Sequence, residues 1–245
     1  MSATARSVDE VSAPYANFML NPEAGPGICS VCWRFGKPDF PTCYECGHQP
    51  RTADAVVPIT YSVDREQMHH SLRNYKDGAT QRIRDRFTLE LAAVAWRFVR
   101  QHEPCVARAA GTPGFGVVTV VPSGTVARDD ARPRLRTIFG EIVEATAPRF
   151  ERVLAPTNST TPGHQYDASR FRSLRSLDGE SVLLFDDTWT TGSSVQSAAY
   201  ALTGAGARRI GVVVIGRHVD PAFQDNGERL RALRRPFDWS TCAVH

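Results

Sequence analysis

Asp186 and Asp187 are the residues of this chain with the clearest chemical intent. They follow the apolar run at 182–185 and lead into Thr188-Trp189-Thr190-Thr191-Gly192-Ser193-Ser194. A helix-like stretch at 195–202 comes next. A buried strand therefore ends in two carboxylates, and a tight hydroxyl-rich loop opens onto a helix N-terminus. Backbone N–H groups converge at such a point, and the helix dipole favours an anion there. The hydroxyls of Thr190, Thr191, Ser193 and Ser194 add donors. Carboxylates beside a phosphate cradle repel the phosphate itself. They suit a neighbour that donates hydrogen bonds, such as paired sugar hydroxyls, or a hydrated Mg²⁺. The ligand this combination implies is a phosphorylated ribose. A general nucleotide-type loop, or an acid pair of the response-regulator kind, is the plainer alternative. The latter also needs a later Asp and Lys, whereas the lysines here are Lys37 and Lys76, both upstream.

The second constellation is Cys29-Ser-Val-Cys32 and Cys43-Tyr-Glu-Cys46, with ten residues between the pairs. Four thiolates at that spacing form a tetrahedral, structural Zn²⁺ site with two knuckle turns. Disulfides are the alternative, and a reducing cytosol disfavours them. His48 is close, but four cysteines complete the shell and His48 reads as a surface residue. Cys105 and Cys242 stand alone and read as ordinary.

These residues must be positioned by a core that 245 residues with 42% hydrophobic content can supply. The net charge of only +3 implies no wholesale polyanion binder. Of 29 basic residues all but Lys37 and Lys76 are arginine, which suits phosphate and equally suits a GC-rich genome. With no apolar run of membrane-spanning length and no leader pattern, a cytoplasmic protein without membrane insertion is expected. Residues 1–25 read as a loose arm, 26–50 as the zinc module and 51–245 as an α/β domain. Strands are predicted at 55–61, 117–121, 152–154, 182–185 and 209–215. Helices are predicted at 64–75, 80–102, 135–143 and 227–235, with Pro104 ending the second. Residues 157–165 are rich in Thr, Pro and Gly and read as a mobile loop. Strands alternating with helices predict a mostly parallel sheet with ligands at the strand C-termini.

The 181–194 segment closely resembles the phosphoribosyl-pyrophosphate (PRPP) motif of type I phosphoribosyltransferases. The resemblance implies that Asp186 and Asp187 hold the ribose 2′- and 3′-hydroxyls, with Mg²⁺ accompanying PRPP. It also implies that Thr188, Trp189, Thr190, Thr191, Gly192, Ser193 and Ser194 wrap the 5′-phosphate. A four-cysteine module ahead of such a domain is similar to the ComF (competence protein F) family. Leu72-Arg73-Asn74-Tyr75-Lys76 resembles that family's Leu-Lys-Tyr-Lys-like segment, and Val121-Pro122 its Val-Pro motif. The resemblance spans roughly residues 29–216. It departs at Thr188 and Trp189, where aliphatic residues are usual. A larger departure is Arg128-Asp129-Asp130-Ala131-Arg132-Pro133-Arg134, which stands in place of an Arg-Gly-Phe-Asn-x-Gln-like segment and bears on pyrophosphate handling.

The implied reaction is displacement at ribose C1′, with catalysis by position and electrostatics. Ser123, Gly124 and Thr125 are candidates for the pyrophosphate loop, approached by Arg128. Arg170 and Arg172 fall where the family has a closing loop, or else belong to a solvated arginine-rich loop. Purine-salvage members carry a carboxylate at the position of Thr190, so purine salvage is not favoured. Two classes remain open. One is transfer of phosphoribose to a nitrogen nucleophile, with PRPP or a nucleoside monophosphate as ligand. The other is a non-catalytic relative that binds PRPP or single-stranded DNA in DNA uptake or processing, with Trp33, Phe35, Phe40 and Tyr44 as stacking platforms or simply as the module's core. The oligomeric state stays open, a homodimer included.

Overall fold

The computed structural model describes residues 6–245, so residues 1–5 of the expected arm lie outside the described residues. From Val8 onward the chain is ordered into the body, and the loose-arm reading is corrected. Helix α1 (Val8–Ser12) starts at a capping box in which Ser7 and Glu10 satisfy each other's backbone N–H groups. A 3₁₀ turn over Ala13–Asn17 follows. The Tyr15 hydroxyl donates to Glu90 Oε2 at 2.9 Å, and Leu20 N–H donates to the Thr60 hydroxyl at 2.8 Å. Tyr15, Met19 and Leu20 are all buried. Three well-spaced apolar side chains seat this stretch, although its average composition is polar.

After the short helix α2 (Tyr44–His48) the main sheet begins with β1 (Ala55–Val63). Helices α3 (Gln67–Asp77) and α4 (Gln81–Ala109) lead to β2 (Val117–Val120). Then come α5 (Val126–Ala131), α6 (Arg134–Thr137) and a π-helical turn at Ile138–Ile142. Strands β3 (Leu154–Pro156) and β4 (Phe171–Ser173) form a separate antiparallel ribbon. Strand β5 (Ser181–Trp189), helix α7 (Ser193–Gly204), strand β6 (Arg209–Val219) and helix α8 (Asn226–Ala232) complete the order.

The main sheet has four strands in the order β1-β6-β5-β2, and every pairing is parallel. The expected mostly parallel α/β architecture is therefore present. Strands β5 and β6 are central and buried on both faces, which is why they read as unbroken apolar runs. Leu183, Phe185, Val213 and Ile215 pack with Phe87, Leu91, Val94 and Phe98 of α4. Val182, Leu184, Val212 and Val214 face the other way, onto Val195, Ala198 and Leu202 of α7. On that same side lie Cys29, Cys32 and Cys46.

Helix α4 does not end at Pro104 but runs through it to Ala109. Proline withholds one hydrogen bond, the one to the carbonyl of exposed Arg100. Burial of Cys105, Val106 and Ala107 holds the turn beyond it. Among the described residues, no helix is long and apolar enough to cross a membrane.

The seating of the N-terminal stretch is testable. Met19→Ala removes a fully buried side chain and is expected to cost about 2–4 kcal/mol in urea unfolding. A change below about 0.5 kcal/mol, the surface-substitution range, would restore the loose-arm reading.

Candidate functional site: a cation-rimmed cleft beside a four-cysteine centre

Strands β2 and β5 run parallel and in register, Val120 opposite Phe185, and Val121 N–H donates to the Phe185 carbonyl at 2.8 Å. Their C-terminal ends therefore lie side by side. The turn at Pro122, Ser123 and Gly124 faces Asp186 and Asp187 across a cleft of about 350 Å³. Thr188, Thr190 and Ser194 line it as well. So do five cations: Lys76, Arg128, Arg132, Arg134 and Arg136. The 128–134 segment, which departs from the family pattern, folds as a short helix and turn that delivers guanidinium groups to this rim.

Asp187 is buried and receives both the Tyr75 hydroxyl and the Lys76 ammonium. Both donors come from the last turn of α3, and they are the Tyr-Lys of the 72–76 segment. Sequence reading found that segment but not its contact. Although Lys76 lies far upstream in sequence, the packing of α3 over the end of β5 brings it to Asp187. Asp186 has no such cation in contact. Its Oδ1 accepts the Asp187 N–H at 2.9 Å. Desolvation first, and the neighbouring Asp187 charge second, push its carboxyl up to about 8. Tyr75 is likewise raised well above the usual phenol range, by burial and then by Asp187. The acid pair is thus asymmetric, one carboxylate compensated and the other held toward its neutral form.

The remaining loop residues divide between cleft and scaffold. Gly192 caps α7 in the left-handed region at φ 83°, and a Cβ built there would lie 2.0 Å from the Trp189 ring. The Trp189 side chain is itself fully buried among α7 and the cysteines. The expectation that Trp189 contacts ligand is therefore corrected: its ring is the floor on which the loop lies. Ser193 spends its hydroxyl on the Gly163 carbonyl at 2.7 Å, and the Thr191 carbonyl accepts from Gln49 Nε2 at 2.7 Å. Thr125 caps α5 through Arg128 N–H rather than lining the cleft. The first-turn N–H groups of α7, which have no intrahelical acceptor, and the Thr190 and Ser194 hydroxyls are what this loop offers an anion.

Asp129, missed in the sequence, is buried and organises the opposite wall. Its Oδ1 accepts Ser123 N–H at 2.9 Å, and its Oδ2 accepts from Arg136 and Arg152, each at 2.8 Å. Arg170, expected at a closing loop over the ligand, is buried and does not line the cleft. It donates to the Pro162 and Gln165 carbonyls at 2.9 and 2.8 Å, bracing the 157–170 loop. Arg172 is exposed on β4.

The four cysteines converge as their spacing predicts. One sulfur from each of Cys29, Cys32, Cys43 and Cys46 lies within 4.8 Å of all the others. The Cys32–Cys43 separation is 3.7 Å. A tetrahedron with Zn–S bonds of about 2.3 Å has an S···S edge of about 3.8 Å, so the set is compatible with a structural zinc. Arg217 supports a negatively charged centre. It is buried, donates to the Cys32 carbonyl at 2.8 Å and approaches Cys32 Sγ at 3.7 Å. The module is sutured to the body rather than appended: Trp33 Nε1–H donates to the Val56 carbonyl at 2.8 Å, and the Tyr61 hydroxyl to the Trp33 carbonyl at 2.8 Å. Of the four aromatics weighed as stacking platforms, Trp33 and Phe35 are core, while Phe40 and Tyr44 are 61% and 73% exposed. His48 is exposed and stacks on Tyr44 at 4.0 Å.

No protein-family model matches this chain, and a search of curated proteins finds no significant relative.

Two expectations follow from the geometry. Trp189→Ala empties the space beneath the loop and is expected to destabilise the protein by about 3–5 kcal/mol in denaturant unfolding. A surface-like effect below about 0.5 kcal/mol would show that the ring does not support the loop. The second concerns pH. A carboxyl raised from 3.8 to about 8 is protonated in the folded protein and ionised in the unfolded chain between those values. Its contribution to stability therefore falls as pH rises through that window. Asp186→Asn removes this dependence, so its gain in Tm, about 2–4 °C per kcal/mol for a chain of this size, is expected to be larger at pH 8 than at pH 5. Equal gains at both pH values would contradict the raised carboxyl.

Proposed function

We propose that the protein binds PRPP and transfers its phosphoribosyl group to a nitrogen nucleophile, with release of pyrophosphate. The observation that carries this reading is the meeting, at two parallel strand ends, of an acid pair with a cleft rimmed by five cations. A nucleoside or sugar alone would not need that many positive groups, and a bare polyphosphate would not tolerate the carboxylates. A ribose bearing phosphates at two positions uses both.

In this reading Asp186 and Asp187 accept hydrogen bonds from the ribose 2′- and 3′-hydroxyls. The 5′-phosphate lies at the start of α7, against Thr190 and Ser194. The pyrophosphate faces Ser123, Gly124 and Arg128. Arg132, Arg134 and Arg136 are each anchored by a carboxylate, on Asp77, Asp85 and Asp129. Arg128 is exposed at the rim and able to follow the leaving group. As the nucleophile's nitrogen bonds to C1′, the C1′–O bond to pyrophosphate breaks and its electron pair leaves with the oxygen. Preorganised guanidinium groups are worth most where that charge develops. Asp186 and Asp187 supply hard oxygen donors of the kind Mg²⁺ takes, and Mg²⁺ bound with the diphosphate would supply further neutralisation of its charge. Zn²⁺ on Cys29, Cys32, Cys43 and Cys46 would serve structure, fixing the module from which Gln49 reaches the Thr191 carbonyl.

Calorimetric titration with PRPP and Mg²⁺ tests the reading. Because Asp186 is held toward its neutral form, binding that uses its ionised form is expected to release close to one proton per site near pH 7, measurable by comparing buffers of different ionisation enthalpy. Asp186→Asn is expected to abolish the proton release, and Asp187→Asn to weaken binding at least tenfold, about 1.4 kcal/mol. Unchanged affinity in both variants would place the ribose elsewhere. Binding that never yields pyrophosphate with a panel of bases and amines would favour the non-catalytic alternative.

A further inference from the structure

The structure corrects the reading of Cys105 and Cys242 as ordinary. His102 and Cys105 lie one turn apart on α4 and share a face. Cys242 and His245 stand at the end of the segment that follows α8. The four side chains meet: one ligand atom from each lies within 4.8 Å of all the others. We propose that they form a second zinc site, of the Cys₂His₂ class, clipping residues 237–245 to α4.

The tautomer of His102 points to a metal. The residue is 3% exposed, and its Nε2 lies 2.8 Å from the Trp239 carbonyl, to which it can only donate. The proton on Nε2 leaves a lone pair on Nδ1, and Nδ1 is buried with no hydrogen-bond partner. A metal-bound histidine characteristically donates its second ring nitrogen to a carbonyl or carboxylate in this way. A Cys105–Cys242 disulfide would account for neither imidazole and would leave that nitrogen orphaned. Two thiolates and two imidazoles are a donor set that favours tetrahedral Zn²⁺.

The tail reaches the site by its own contacts. Phe237 N–H donates to the Ala16 carbonyl at 2.9 Å. Asn21 and Asp238 exchange two hydrogen bonds, each 2.9 Å. The Arg97 guanidinium lies 4.3 Å over the Trp239 ring. Cys242 and Ala243 are buried, and His245 N–H closes a turn onto the Cys242 carbonyl at 3.1 Å. That turn sets a Cys-x-x-His pair opposite the His-x-x-Cys pair of the helix. Binding Zn²⁺ displaces the two thiol protons to solvent, so retention of the metal weakens as pH falls.

Metal content of the full-length protein, purified under reducing conditions, decides the proposal. The variant Cys242→Ser with His245→Ala is expected to hold one zinc equivalent fewer than the wild type. In the Co²⁺-substituted protein it should lose the absorption bands of an S₂N₂ set and keep those of the S₄ set. If the double variant does not fold, His245→Ala alone serves, since that side chain is exposed. It is expected to lower the affinity for one equivalent at least about tenfold in chelator competition. Equal zinc content and equal retention in wild type and variants would overturn the proposal. So would an intact mass short by two hydrogens that maps to a Cys105–Cys242 disulfide in protein never exposed to oxidant.

Discussion

Two adjacent carboxylates at the end of a central, buried strand are an electrostatic problem, and the elements around the site are arranged around its solution. Carboxylates out of water cost several kcal/mol each unless paired. The last turn of α3 answers for one of them, setting the Lys76 ammonium and the Tyr75 hydroxyl on Asp187. That arrangement requires α3 to lie across the end of β5. Leu72 and Tyr75, both buried, fix it there. Gly216 on the adjoining strand makes room, for a Cβ at that position would meet Leu72 at 2.5 Å. Asp186 is left to its neutral form until a hydrogen-bond donor or a cation arrives.

The opposite side of the same strand end is held by the four-cysteine module. Trp189 shares one buried cluster with the cysteines and α7, and the loop turns back over its ring at Gly192. Arg217 joins the parts, with its guanidinium on the Cys32 and Trp189 carbonyls at 2.8 and 3.0 Å. A buried guanidinium with no carboxylate in contact is compatible with a four-cysteine centre that carries negative charge when it holds a metal. Arg217 and Gln49, which donates to the Thr191 carbonyl, are thus two direct links between the module and the loop beside the cleft.

Local signals carried a good part of this organisation into the sequence. The apolar run, acid pair, Gly192 and following helix lie within one continuous stretch, and the paired CxxC spacing is equally local. Strand and helix periods placed the sheet because its central strands are buried on both faces. What the sequence hid depends on distance. Nothing near Lys76 announces Asp187, which lies 111 positions away. The same holds for His102 and Cys105: each half of their cluster is a bland pair until α4 and the tail come together. Trp189 misled for another reason. Its place in the loop that resembles the PRPP motif implies a phosphate-facing residue, and only the tight turn at Gly192 shows that the chain folds back over its ring. Proline at 104 was overruled by burial of the turn beyond it. A polar average concealed the three anchors at 15, 19 and 20.

The suture between the cysteine module and β6 has a consequence for biosynthesis. Cys32 and Arg217 are 185 positions apart. At roughly 5–20 residues per second, the ribosome delivers the thiols on the order of ten to forty seconds before the guanidinium that will lie against them. During that interval the module can already meet β1, which carries its partners Val56 and Tyr61, while β6 does not yet exist. The module and its partners on β1, the Val56 carbonyl and the Tyr61 hydroxyl, are translated close together, so it is the Arg217 suture alone that must wait for the last strand.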